Sequence, residues 1–536
     1  MLGATGCKTP SPLADIKNYH SIDAHCHIFN ASDLPVVRFV RYAFLKLYPE
    51  LSQKRRFAPK EPDILDGLLE LLLNMLGANK APRAKDEALV LRGMAKANPF
   101  NASEAGASRI AIPEIAKFIS RNATSSFSAR SDRSGTSSSS QLLADRIIEA
   151  GGGDLRATRT FRRVDFDKVA ADAFSSDSVI GVYLKWFNLF SLYRYELLEL
   201  LISRSREQGL TPTFIAPAIV DLDKWLRETS GSSLPDQMIV MSLLSRRNTN
   251  PPVHGYFPFD PLREVYFRRK MKGEVSSLKL CRDALTTHGF LGVKLYPPMG
   301  FRASGNSGPY PRKIENEIGR NGLSHDLDLA LDDLYKLCVE LDAPILTHAY
   351  ASQAPNKDFG LRADPAFWSP VFQKYPTLRV CLGHFGAFNL LSATRPSDRF
   401  PEASWEWTFG RDLLKFPRQR LFADMSYFSE ALTLETSERA ALATTFRQWV
   451  DRFDPEMERL VFGTDWVLVA REQKFEQYVP QVRSFLQNDC GIDDARLKRF
   501  FEQNAIDFLG LKRRDRTRQR LLEFYSANDL DPPRLL

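Results

Sequence analysis

Only six of the 536 residues are cysteine, and they are scattered. That scarcity excludes a disulfide framework and any CxxC metal knot. Long hydrophobic runs are missing too. No uninterrupted apolar stretch reaches the roughly 18 residues that a bilayer span needs, and the amphipathic segment 178–203 is broken by Lys185, Arg194, Glu196 and Glu199. The charge imbalance is small for this length, at +8. Much of it comes from Lys512, Arg513, Arg514, Arg516, Arg518 and Arg520, which read as a solvated helix face. No DNA- or RNA-binding motif accompanies them, so a small molecule is the expected partner; a homo-oligomer stays open. Met1–Cys7 puts a cysteine where a lipoprotein signal would end, but the charged and apolar regions of such a signal are absent. A cytoplasmic location is therefore expected, with a truncated export signal as the alternative. What is abundant is core material: 43% of the chain is hydrophobic.

Against this background Asp23-Ala24-His25-Cys26-His27 stands out, because it closes the short apolar run Ser21-Ile22. Histidines separated by one residue on a strand point to the same face and can grip one metal ion. Cys26 between them should face the opposite way, as a small core residue. Taken singly, the pair is weak. Downstream, however, Pro344-Ile345-Leu346-Thr347 leads into His348, Arg379-Val380-Cys381-Leu382-Gly383 into His384, and Leu460-Val461-Phe462-Gly463-Thr464 into Asp465. Phe290-Leu291-Gly292-Val293 leads into Lys294. Each polar residue ends an apolar run, and the repetition is more specific than any one member.

Helical periodicity fills Asp326–Leu341, Asp364–Lys374, Trp405–Phe416, Ser437–Phe453 and Gln473–Leu486, and alternates with these runs. Strands are expected at Ile22–His25, Thr213–Ile219, Val253–Phe259, Phe290–Leu295, Ile345–His348, Arg379–Gly383, Leu421–Met425 and Leu460–Thr464. Eight parallel βα units make an α/β fold, a closed (β/α)8 barrel, whose functional residues collect at the carboxyl ends of the strands. A plain barrel needs about 250 residues; the surplus lies mainly between the first two strands. The expected organisation is 1–30 (leading segment and first strand), 31–177 (mainly helical insertion), 178–511 (rest of the barrel) and 512–536 (basic tail). Within the insertion, Pro62–Gly77 reads as an apolar helix and 124–140 as a serine-rich flexible stretch. A further amphipathic helix is expected over 178–203. The insertion leaves from the catalytic face, as a cap over the substrate or as a packing element.

With Ile-Asp-Ala-His-Cys-His at 22–27, Pro-Ile-Leu-Thr-His at 344–348, Leu-Gly-His-Phe-Gly at 382–386 and Phe-Gly-Thr-Asp-Trp at 462–466, the chain resembles the amidohydrolase superfamily. The likeness is to its amidohydrolase-related branch of metal-dependent TIM-barrel hydrolases and decarboxylases. The closing Asn504–Gly510 segment is similar to the family's terminal helix. The resemblance covers 21–27 and about 210–511. It implies that His25, His27 and His348 are metal ligands. Asp465 would touch the metal and handle the proton of the attacking water. His384 would be a second-metal ligand or a hydrogen-bonder of the transition state. Lys294, in Gly-Val-Lys-Leu-Tyr-Pro, looks like the carboxylated, metal-bridging lysine of dihydroorotases; in the amidohydrolase-related branch such a residue often stays free and faces substrate.

The implied chemistry is coherent. Zn²⁺ with an open position lowers the pKa of bound water to about 7, Asp465 can take the proton, and a donor at His384 would be worth roughly 3–4 kcal/mol. One zinc ion is expected, a second fits the ligand set, and Mn²⁺ or Fe²⁺ are alternatives. Hydrolysis of a C–N or C–O bond in a cyclic amide, lactone or ester is the leading function. Non-oxidative decarboxylation of a small aromatic or unsaturated acid is the second, and a catalytically silent binding protein the third. Arg263, Arg302, Tyr296 and Trp466 follow strands and are candidates for substrate binding, Tyr350 and Tyr427 for the pocket wall. Each has a plainer reading as packing, capping or solvated charge. His254 could reach the pocket from the third strand, whereas His20, His288 and His325 read as surface or helix-end residues.

Overall fold

The computed structural model describes residues 18–39 (37 aside), 81–96, 186–247 (187 aside), 250–351, 355, 358–385, 404–472 (435 aside) and 474–536. The expected helix at 62–77 and the serine-rich stretch lie outside them. Eight strands follow in order: β1 Tyr19–Cys26, β2 Leu210–Pro217, β3 Tyr256–Pro258, β4 Gly292–Leu295, β5 Ile345–His348, β6 Arg379–Gly383, β7 Arg420–Asp424 and β8 Leu460–Val461. Neighbours from β3 to β8 pair in parallel, as do β1 and β2. Parallel bridges Ile215–Val253 and Ala218–Tyr256 join β2 to β3. The ring is completed by Ala24 N–H donating to Phe462 O at 3.1 Å and Asp465 N–H to His25 O at 2.8 Å. The fold is a TIM barrel.

Alternation along the strands fills its interior. Ile22, Ala24, Phe214, Ala216, Tyr256, Leu346, Cys381, Phe422 and Val461 form one buried cluster. Cys26, beyond a register irregularity that follows Asp23, belongs instead to the larger buried cluster. The helices that pack there begin where short polar residues cap them: Ser233, Asp260, Ser276 and Ser404 each accept a backbone N–H of the first turn.

Three expectations need correction. The 178–203 helix is not continuous among the described residues. A turn at 190–193 separates helical residues before it from the helix Arg194–Glu207, which a capping box starts when Tyr193 N–H donates to Glu196 Oε2 at 2.9 Å. The stretch 364–374 is two short pieces, a 3₁₀ turn Pro365–Trp368 and a helix Ser369–Lys374, because Pro365 and Pro370 each remove a donor.

The basic tail is the third. Its helix Arg516–Ala527 is amphipathic rather than solvated all round. Leu521, Phe524 and Tyr525 join the barrel-interior cluster together with Phe508 and Leu509. Half-buried Arg520 donates to Leu285 O (2.9 Å), Leu341 O (3.1 Å), Phe290 O (3.1 Å) and Leu291 O (2.8 Å). The first two are carbonyls at or near the carboxyl ends of helices Ser277–Thr287 and Leu323–Leu341, which a cation suits. The tail thus seals the amino end of the barrel, opposite the strand termini that carry His25, His348 and Asp465. Among the described residues no helix is long and apolar enough to cross a membrane.

Candidate metal centre

The site is assembled from the carboxyl ends of β1, β4, β5, β6, β7 and β8. His25 Nε2 lies 3.8 Å from Asp465 Oδ1, and His27 Nε2 lies 3.3 Å from that same oxygen. Lys294 Nζ is 2.7 Å from His25 Nε2. His384 Nε2 is 3.1 Å from His348 Nδ1, and the Tyr296 ring lies against His348 with centroids 4.3 Å apart. His25, His384 and Asp465 each present a ligating atom, all within 4.8 Å of one another. Six residues expected from the sequence therefore converge.

Two glycines explain how the strands come this close. A Cβ on Gly383 would stand 3.0 Å from His25 Cε1 and 3.1 Å from Thr347 O; on Gly463 it would stand 2.9 Å from His25 Cβ. Just beyond those glycines the backbone turns left-handed at non-glycine residues, with φ of 68° at His384 and 54° at Asp465. Such conformations persist only where the surroundings hold them. Here His384 N–H donates to Asp424 Oδ1 at 3.0 Å, and Asp465 N–H is fixed by His25 O.

The donor set fits a divalent cation. His27 Nδ1 faces Ala218 O at 2.8 Å. A carbonyl can only accept, so that nitrogen carries the proton and Nε2 keeps its lone pair. His25 Nδ1 faces the Asp424 carboxylate at 3.0 Å, with the same result. The His27 lone pair turns toward Asp465 Oδ1 at 3.3 Å, and that of His25, which also accepts from Lys294 Nζ, lies 3.8 Å from it; among the described residues this buried oxygen has no hydrogen-bond partner. An orphaned carboxylate oxygen facing two imidazole lone pairs is costly unless a cation sits among them.

Electrostatics agree. Burial first, then the Lys294 amine, hold the His25 imidazole down at about 3, so it is neutral at any ordinary pH. Burial likewise lowers His384. Burial alone would raise Asp465, but the His27, His384 and His25 rings beside it outweigh this and hold it below the usual carboxylate range. Desolvation pulls Lys294 down to about 8.

The softer candidates are placed differently. Arg263 is clasped by Asp221, with Nη2 to Oδ1 at 2.7 Å, and Asp223 lies 3.6 Å away; its fork already holds a carboxylate of the chain. Arg302 lies over the Phe367 ring at 4.6 Å and donates to Ser307 Oγ at 2.8 Å. Trp466 is buried, lies tilted against Phe475 with ring centroids 5.5 Å apart, and its Nε1 has no hydrogen-bond partner among the described residues. Tyr427 donates to Glu472. His254 does not reach the site. Its Nδ1 faces Gly289 O at 2.7 Å and its Nε2 meets Tyr525 Oη at 2.9 Å, at the sealed amino end.

Sequence reasoning missed Asp424, Ser426 and Asp23. Asp424 ends β7 just as His348 ends β5, so the signal was the same apolar run closed by a polar residue. Asp23 takes both Thr464 N–H (3.0 Å) and Thr464 Oγ–H (2.6 Å), tying β1 to the segment after β8.

Residues 276–511 match the family described as Amidohydrolase. No curated protein matches the chain. Among solved structures, 5-carboxyvanillate decarboxylase from Sphingomonas paucimobilis is 14% identical (69% of this chain, 95% of that one, TM-score 0.37). A protein bearing the name 2-pyrone-4,6-dicarboxylic acid hydrolase from Acinetobacter baumannii is 13% identical (58% and 88%, TM-score 0.35). An uncharacterised TIM-barrel protein from Bordetella bronchiseptica is 13% identical (61% and 83%, TM-score 0.36).

Proposed function

We propose, from the match of residues 276–511 to the amidohydrolase family, that this chain is a metal-dependent hydrolase of a C–N or C–O bond. The substrate class is a cyclic amide, lactone or ester. One observation carries the reading: the buried Asp465 Oδ1, without a hydrogen-bond partner among the described residues, near His25 Nε2 and His27 Nε2.

His25, His27 and Asp465 would hold the ion, with His348, His384 and Lys294 completing one site or a second. Zn²⁺ is the preferred occupant for three nitrogens and a carboxylate, with Mn²⁺ or Fe²⁺ as alternatives. When bound, it supplies Lewis acidity and an acidified water. The chain's own groups do the rest. Asp465, ionised in its pocket, takes a proton during attack and returns it to the leaving atom. His384, with Nδ1 turned to Ser426 O at 3.1 Å, offers a lone pair at Nε2 and so suits ligation better than oxyanion donation. Lys294 serves either as a carbamate oxygen donor or as an amine paired with a substrate carboxylate. Tyr296, tilted against the His348 ring, forms wall. The insertion 31–177 would govern substrate access.

The test is a substrate screen on zinc-loaded protein, with lactones, cyclic amides and esters in one arm and aromatic carboxylic acids in the other. Acid release from the first arm, lost in Asp465→Asn, is expected. Carbon dioxide release from the second arm alone would make the protein a decarboxylase instead.

A further inference from the structure

Asp424 is the most heavily engaged side chain near the site, and no motif led to it. It is fully buried at the end of β7. Its Oδ2 faces His25 Nδ1 at 3.0 Å. Its Oδ1 accepts His384 N–H at 3.0 Å and Ser426 N–H at 3.0 Å. Ser426 Oγ in turn lies 2.9 Å from His25 Nδ1 and 3.0 Å from His384 Nδ1. One carboxylate therefore touches a side chain from β1, the backbone that follows β6, and the turn after its own strand.

We infer that Asp424 is a positioning residue that sets the tautomer and orientation of His25 and the left-handed backbone of His384, so that the lone pairs from β1 and β6 meet one cation. The inference rests on the metal reading above and adds a residue to it. Only an anion can play the part. Three N–H groups converge on two oxygens, and both oxygens must accept. An amide of the same shape has one acceptor and one donor, so Asn at 424 would turn an NH₂ toward either the His25 Nδ1–H or the two backbone N–H groups. Either choice puts donor against donor. Released from the carboxylate, His25 can flip its ring or move its proton to Nε2, and in both cases the ligand lone pair leaves the site. Partners of ligating imidazoles typically influence affinity by 10–100-fold.

The experiment titrates Zn²⁺ alone against a fluorescent chelator, in wild type and Asp424→Asn, with circular dichroism and thermal melts of both metal-free proteins. The expected result is one or more tightly held Zn²⁺ in wild type and a 10–100-fold weaker Kd in the variant, with kcat recovering as excess zinc is supplied. Equal affinity in the two folded proteins would overturn the inference and leave the metal reading standing. A wild type that takes up no zinc would bring both down together. Should Asp424→Asn fail to fold, the wild type answers through its histidine spectrum. Long-range ¹H–¹⁵N NMR should show a downfield, slowly exchanging imidazole Nδ1–H that disappears in His25→Gln. Absence of that proton overturns the inference.

Discussion

Asp465 carries the sharpest expectation at the level of single residues. Replacing it by Asn keeps the volume but removes the charge that balances the imidazole cluster. Turnover should fall by about 10²–10⁴-fold, the usual worth of a positioned acid–base group, and zinc content measured by atomic emission should fall with it. Gly383 makes a different demand. Gly383→Ala places a methyl 3.0 Å from His25 Cε1 and 3.1 Å from Thr347 O, a contact the backbone side cannot relieve. We expect a loss of about 1–3 kcal/mol in urea unfolding, the range for overpacking, together with weaker metal retention. Unchanged zinc affinity there would mean that His25 has more room than the contacts allow. Sequence legibility was high here for residues that end a strand, such as His348 and Lys294. It failed for pairings. Nothing in the chain announces that Arg263 is already held by Asp221, because that ion pair depends on two neighbouring strand ends and not on any local pattern.

Strands and helices were legible where one period dominates. Ile345–His348 and Arg379–Gly383 coincide with expectation, since each is a buried run bounded by turn residues. The third strand, Tyr256–Pro258, is shorter than the expected Val253–Phe259, and Val253 is joined to β2 by an isolated bridge. Composition misled for the tail, where arginines hid the apolar face of Leu521, Phe524 and Tyr525. Two element-scale predictions follow from that helix. Arg520→Met would leave four carbonyls without their donor and should cost about 3 kcal/mol in denaturant unfolding. His254, which this helix buries against Tyr525, is lowered by desolvation from 6.5 to about 4. Below pH 6.5 the unfolded chain binds a proton there that the folded chain refuses. Stability from this group is therefore complete above pH 6.5 and drains as pH falls toward 4, by up to roughly 3 kcal/mol at 1.36 kcal/mol per pKa unit. His254→Gln should flatten the urea-midpoint profile across that window; an unaltered slope would rule the group out.

For the whole molecule, ring closure and metal binding are one problem. β1 meets the segment after β8 through Ala24–Phe462 and Asp465–His25 backbone bonds, and the same segments would supply the first donors of the proposed cation. Zinc should therefore stabilise the whole barrel. At 100 times its Kd the ion adds about 2.7 kcal/mol, so chelation should lower Tm measurably, and re-addition should restore it. A buried cation is among the contacts that join the described part of the insertion to the barrel, beside the Ser32–Ser232 and Ala84–Ser232 hydrogen bonds. Arg194 is held by Asp33, by Glu87 Oε2 at 2.6 Å and by Ser32 Oγ at 3.1 Å. Deleting 31–175 would strip both acids from it, and a buried arginine left alone is strongly destabilising. A deletion confined to 98–185 spares this cluster. It should change KM or substrate range while zinc content holds; turnover and KM both unaltered on the native substrate would refute a role in access.

The floor made by Arg516–Ala527 also has a consequence during biosynthesis. All eight strands leave the ribosome before the segment that covers Phe508, Leu509 and the lower interior does. Until that last helix docks, the nascent barrel exposes greasy surface and a set of carbonyls that await Arg520. Chains cut short after Leu511 should therefore be clients of chaperones and proteases rather than weakly active enzymes.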